Sequence, residues 1–210
     1  MVCKKHDVLV NRIDSVGFLY PAFQEQILDL LLAIRQQQMP FRIYETYRTP
    51  ARQKALISSN LSKITDPMES KHVHGLAVDF LIDYRAVRSL KKDKLYKLTS
   101  GDINNSGNEY SQGRGPVYNL GVNILGDNIK KPRSVVEDRV VLDFWNNLGL
   151  LIRRQYPDLV WGGLFDKKPG QLIGSDPPHV EYRYADKLIR EKKTLNALKA
   201  KGNPGLEEIK

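Results

Sequence analysis

Apolar positions recur at helical spacing in the first clearly patterned stretch of the chain, at Phe23, Ile27, Leu30, Leu31 and Ile34. Pro21 suits a first turn and Met39-Pro40 a stop, so a helix is predicted from about Pro21 to Gln37. The period then changes. Phe41-Arg42-Ile43-Tyr44-Glu45-Thr46-Tyr47 alternates and is rich in β-branched and aromatic residues, which predicts a strand. Thr49-Pro50 sets a capping oxygen before a proline, and a helix should run from there towards Ser58. Leu76-Ala77-Val78-Asp79-Phe80-Leu81 is a second strand-like run. Val136, Val140, Val141, Phe144, Leu148 and Leu151 predict a helix over 135–154, with Gly149 its weak point. Leu159-Val160-Trp161 and Val180-Glu181-Tyr182 are further strands. A basic helix is expected from Ala185 to about Ala200, ended by Gly202-Asn203-Pro204-Gly205. The pattern describes an α+β protein.

Composition narrows the class. The chain has 210 residues, 41% apolar and 27% charged, which suits one folded domain over 1–210. Disordered, collagen-like and coiled-coil readings are excluded for the chain as a whole. A single cysteine, Cys3, excludes a disulfide framework. No run approaches the roughly 20 apolar residues of a membrane helix. The opening Met1-Val2-Cys3-Lys4-Lys5-His6-Asp7 lacks the apolar stretch of a signal peptide, so synthesis in the cytoplasm is expected. Residues 101–128 hold six Gly and six Asn, marking a turn-rich loop inside an insertion over 83–134.

The net charge of +9 is uneven. Residues 84–134 carry ten Lys/Arg against four Asp/Glu, and residues 183–210 carry eight against four. The insertion and the basic helical tail at 185–210 therefore favour a polyanionic partner, and charge does not say which. Neither segment alternates aromatic and basic residues as single-strand binders do, so nucleic acid is not expected.

Histidine is scarce, and its placement is informative. His72 and His74 lie in Ser70-Lys71-His72-Val73-His74-Gly75-Leu76-Ala77-Val78-Asp79, and His179 in Asp176-Pro177-Pro178-His179-Val180-Glu181-Tyr182. Each segment pairs imidazole with carboxylate, the donor set of zinc sites. Extended, the chain from His72 to Asp79 would span roughly 23–25 Å, whereas two donors on one ion stand about 3–4 Å apart. The chain must double back, and Gly75 permits it. A tight turn there would put His72 and Asp79 on neighbouring strands; a hairpin with a surface histidine and a solvated aspartate fits the same residues. Pro177-Pro178 forbids helix, and polyproline geometry would project Asp176 and His179 to one side.

Together these segments resemble the zinc D,L-peptidases of bacterial peptidoglycan: D-Ala-D-Ala carboxypeptidases and dipeptidases and the L-alanyl-D-glutamate endopeptidases of phage endolysins. The resemblance lies in Ser70-x-His72-x-x-Gly75-x-Ala77-x-Asp79 with Asp176-x-x-His179 downstream. Tyr47-Arg48-Thr49-Pro50 with Gln53, Trp161-Gly162-Gly163 and His179-Val180-Glu181 add to it. It covers roughly 20–82 and 135–184. It implies a hedgehog/DD-peptidase-like zinc fold with a small antiparallel sheet, and one zinc ion on His72, Asp79 and His179. It makes Asp176 the general base, Arg48 the oxyanion-stabilising group, and Ser70 and Trp161 substrate contacts. The implied reaction is stem-peptide hydrolysis, foremost at L-alanyl-D-glutamate, with D-Ala-D-Ala carboxypeptidase or dipeptidase activity as alternatives. The implied partner is peptidoglycan, with anionic wall polymers on the basic segments; the enzyme would be a monomer meeting the wall after holin-mediated release.

The dipeptidase branch carries glutamate where this chain has Asp176, so the likeness leans to the other branches. Val180 replaces the usual phenylalanine. Asp102-x-Asn104-x-Ser106-Gly107 imitates a calcium loop, but its twelfth position is Gly113 rather than glutamate. His74 is expected behind the ligands or at the surface. A wall-binding module without catalysis is the rival of another class.

Overall fold

The computed structural model describes residues 11–83, 139–167, 169 and 173–206, with only the backbone of 139–143. Helix α1 (Pro21–Gln36) begins on Pro21 as its first residue and buries Phe23, Ile27, Leu30 and Ile34. Its face is the predicted stripe, with Leu31 only partly buried. Strand β1 (Phe41–Glu45) follows, then α2 (Pro50–Ser58), whose first turn is capped by the Thr49 hydroxyl accepting from the Arg52 N–H at 3.1 Å. Strand β2 (Ala77–Ile82) comes next. After α3 (Arg139–Gln155), β3 (Leu159–Trp161) and β4 (His179–Tyr182) complete the sheet.

The four strands lie in the order β1-β2-β4-β3, and each neighbouring pair is antiparallel. This is the expected α+β arrangement, a small antiparallel sheet packed with helices. One sheet face carries Val78, Phe80 and Val180 into a core shared with α1 and with Phe144, Trp145, Leu148 and Ile152 of α3. Each such side chain stabilises by roughly 1.5–3 kcal/mol when fully buried. The alternation of side chains leaves Asp79, His179 and Glu181 on the other face. Strand β2 is buried along its whole length, so Asp79 is a carboxylate at the centre of the sheet.

Three expectations need correction. The predicted basic helix breaks into α4 (Ala185–Arg190) and α5 (Lys193–Ala200), with Lys192 left-handed at φ 54° between them. Residues 71–75 form a helical turn rather than a hairpin: Gly75 N–H donates to His72 O and Leu76 N–H to Lys71 O. That pair of bonds is a Schellman ending, with Gly75 in the left-handed position at φ 62°. Pro177-Pro178 is a turn closed by His179 N–H donating to Asp176 O at 3.1 Å, not a polyproline segment. The insertion beyond Asp83, the Asp102 loop, Cys3 and the start of the predicted 135–154 helix lie outside the described residues.

Gly149 does not interrupt α3. The Trp161 ring lies over it, and a Cβ at that position would stand 2.1 Å from Trp161 Cζ3. Gly149→Ala is therefore expected to lower stability by about 1–3 kcal/mol, the usual cost of overfilling a packed core, although alanine favours helix. The urea midpoint of the variant checks this; an unchanged or raised midpoint would contradict it.

Candidate metal centre

His72, Asp79 and His179 converge from separate parts of the chain, and their ligand atoms all lie within 4.8 Å of one another. Strand register explains half of this. Asp79 stands directly opposite His179 across β2 and β4, and His179 Nδ1 is 3.2 Å from Asp79 Oδ1. His72 arrives from the 71–75 turn, with Nε2 3.4 Å from the same oxygen. The turn is fastened to the segment after β1, where Arg48 N–H donates to His72 O.

Hydrogen bonding decides which ring nitrogen faces the centre. His72 Nδ1 is 2.7 Å from Thr46 O; a carbonyl only accepts, so Nδ1 carries the proton and Nε2 offers a lone pair. His179 is reversed. Its Nε2 is 3.1 Å from Glu181 Oε2, leaving Nδ1 towards Asp79. Each imidazole thus has its far nitrogen on an oxygen and its near nitrogen turned to Asp79, which is how metal-ligating histidines are held. Two imidazoles and a carboxylate, with the remaining positions open to the cleft, can bind a metal ion.

Asp79 and His179 shift one another's titration. Burial works against the Asp79 carboxylate, yet His72 and His179 outweigh it and hold its pKa well below the usual range. Burial also disfavours a charged His179, but hydrogen bonds to Asp79 and Glu181 push its pKa up to about 10. At pH 7 the metal-free ring therefore carries both protons, and a cation at Nδ1 must expel one. Zinc titration at pH 7, in buffers of differing ionisation enthalpy, should release at least about one proton per ion, and affinity should fall as pH falls. Proton-neutral binding would contradict this arrangement.

Asp176 and Arg48 lie on the same 690 Å³ cleft as His72, Asp79 and His179. Asp176 ends the segment that returns to β4, with its N–H donating to Gly162 O. Burial raises its pKa; His179 pulls it down and Asp79 pushes it up again, for a net rise. Arg48 is gripped from behind. Its Nε and Nη2 donate to Glu45 Oε2 at 3.2 and 2.6 Å, and Nη1 donates to Gln53 Oε1 at 2.7 Å. One N–H on each of Nη1 and Nη2 is left over, and Nη2 stands 3.7 Å from Asp79 Oδ2. A bulge in β1 sets Glu45 opposite Asp79. Burial opposes the charge on Glu45, yet Arg48 holds the carboxyl below its ordinary pKa.

Ser70 lines the cleft with a buried hydroxyl that has no hydrogen-bond partner among the described residues. Trp161 does not line it, which corrects the expected substrate contact. Its ring is 3% exposed in the core, because β3 turns that face inward, and its Nε1–H donates to Pro177 O at 2.7 Å. Trp161 thereby steadies the turn between Asp176 and His179. His74 is buried, not superficial. Its Nε2–H donates to Met68 O, and Nδ1 accepts from the Thr194 hydroxyl of α5.

Thr46, Glu45, Lys71 and Glu181 were not assigned from sequence. Thr46 acts through its carbonyl, which no side-chain pattern reveals. Glu45 and Glu181 left a signal, since each is a charged residue at a buried strand position.

Neither a comparison with known protein families nor one with curated protein sequences finds a match. Among solved structures the chain is similar to the crystal structure of the Serratia marcescens L-Ala D-Glu endopeptidase ChiX. Identity is 17% and the TM-score 0.42, over 86% of this chain and 96% of that one. A likeness so distant says nothing of activity.

Proposed function

We propose that this chain is a zinc-dependent peptidase of the bacterial cell wall that hydrolyses the L-alanyl-D-glutamate bond of the peptidoglycan stem peptide. The observation that carries this reading is the convergence of His72, Asp79 and His179 on a cleft that also holds Asp176 and Arg48. Those residues occur in the order and spacing of the motif read from the sequence. At 690 Å³ the cleft is within the span of about 300–1,000 Å³ common to ligand pockets. Among the described residues no helix is long and apolar enough to cross a membrane.

Zinc held by His72 Nε2, Asp79 and His179 Nδ1 would act as a Lewis acid and acidify a water. The chain's own groups perform the remaining work. Asp176 takes a proton from the attacking water as its oxygen bonds to the scissile carbonyl carbon. It then passes that proton to the departing nitrogen as the C–N bond breaks. The raised pKa of Asp176 suits both halves of this exchange. Arg48 turns its spare N–H groups to the oxygen that gains negative charge, and Glu45 and Gln53 keep the guanidinium from moving. Ser70 offers its buried hydroxyl to the peptide backbone.

Mass spectrometry of purified peptidoglycan digested by the zinc-loaded protein tests the reading. Fragments with a new amino-terminal D-glutamate are expected. Free D-alanine would instead assign the carboxypeptidase reaction. No product from a folded, zinc-loaded sample would overturn the enzymatic reading and leave a wall-binding module.

A further inference from the structure

We infer that Glu181 is a positioning residue for His179: its carboxylate, itself anchored by Lys71, takes the Nε2–H and so commits Nδ1 to the metal position. The inference rests on the reading of His72, Asp79 and His179 as a metal centre.

An imidazole can ligate through either nitrogen, and the choice follows from what accepts the proton of the other. For His72 the acceptor is the Thr46 carbonyl, which the backbone immobilises. For His179 it is a side chain, which has rotamers of its own and needs an anchor. Lys71 provides it, with Nζ 2.7 Å from Glu181 Oε1 and 3.4 Å from Asp186 at the start of α4. Glu181 follows His179 by two residues on β4, so the strand period places both on the cleft face. The residue opposite Glu181 on β2 is Ala77, too small to crowd the carboxylate. Glu181 is 9% exposed, and burial alone would discourage its charge. Its two oxygens are instead divided between Lys71 and His179.

The consequence is a shared reference. Lys71 precedes His72 in the same turn, so that turn holds one imidazole directly and orients the other through Lys71 and Glu181. A negative acceptor also makes the ring a stronger donor to a cation than a neutral one would.

The test compares wild type, Glu181→Ala, Glu181→Gln and Lys71→Met, with zinc affinity measured by chelator competition. The His179 tautomer is read in zinc-loaded protein from long-range nitrogen–proton NMR correlations, and folding from the urea midpoint. The wild-type ring should be protonated at Nε2. Glu181→Ala should weaken zinc binding about 10–100-fold and disturb the His179 ring signals. Glu181→Gln, whose amide oxygen accepts the same N–H, should recover affinity to within about tenfold of wild type. Lys71→Met should fall between them. Wild-type affinity and tautomer in Glu181→Ala would overturn the inference, as would a wild-type His179 ligating through Nε2. A wild type that takes up no zinc would bring down the metal centre and this inference together, a result distinct from either of those.

Discussion

Asp176→Asn is expected to bind zinc and fold like wild type while losing about 10²–10⁴-fold in turnover, the usual contribution of a positioned base. Asparagine keeps the shape of the side chain and cannot take a proton. Asp176 is not among the converging donor atoms, so metal content should not change. Its backbone bonds to Gly162 and His179 do not involve the carboxyl group, so the turn should survive. The loss should fall on kcat rather than KM. In the wild type the acid limb of kcat/KM should reflect this group. A base works when deprotonated and its pKa is raised, so activity declines as pH falls through that raised value. Undiminished turnover in Asp176→Asn would remove Asp176 from the mechanism.

His179→Ala should lose the metal. Three protein donors converge here, and removing one leaves an imidazole and a carboxylate, too few to hold zinc against solvent. The loss in affinity should exceed the roughly 10–100-fold typical of outer-sphere partners. His72→Ala should behave alike, because its Nε2 faces the same Asp79 oxygen. In either variant Asp79 also loses an imidazole that holds its pKa down, so its carboxylate should take up a proton more readily. Metal analysis of dialysed samples reads the first effect. Full occupancy in either variant would strike that histidine from the ligand set.

Much of the fold was legible because local rules and tertiary packing agree. Helices α1 and α2 begin where Pro21 and Thr49-Pro50 say they should, since caps and first-turn prolines act within a few residues. The break between α4 and α5 was not legible. It falls at Lys192, an ordinary helix former held left-handed, with no glycine or proline to mark it. The turn at 71–75 was misread because Gly75 ends a helical turn as readily as it makes a hairpin, and only the hydrogen bonds tell the two apart. The donor set came from the family resemblance, because residue type and spacing alone fitted a hairpin with a surface histidine as well. The assignment of ring nitrogens was not legible, since it depends on the Thr46 carbonyl and on the β2–β4 register that brings Asp79 to His179. Trp161 was placed at the wrong end of its neighbourhood. A tryptophan before Gly-Gly can line a pocket or fill a core, and here Gly149 and Gly163 make room for its ring.

The most direct test of the centre is anomalous diffraction at the zinc edge from crystals of the zinc-loaded protein. A single peak is expected between His72 Nε2, Asp79 and His179 Nδ1, about 2 Å from each donor atom. A zinc peak elsewhere, or none in protein crystallised with excess zinc, would contradict it.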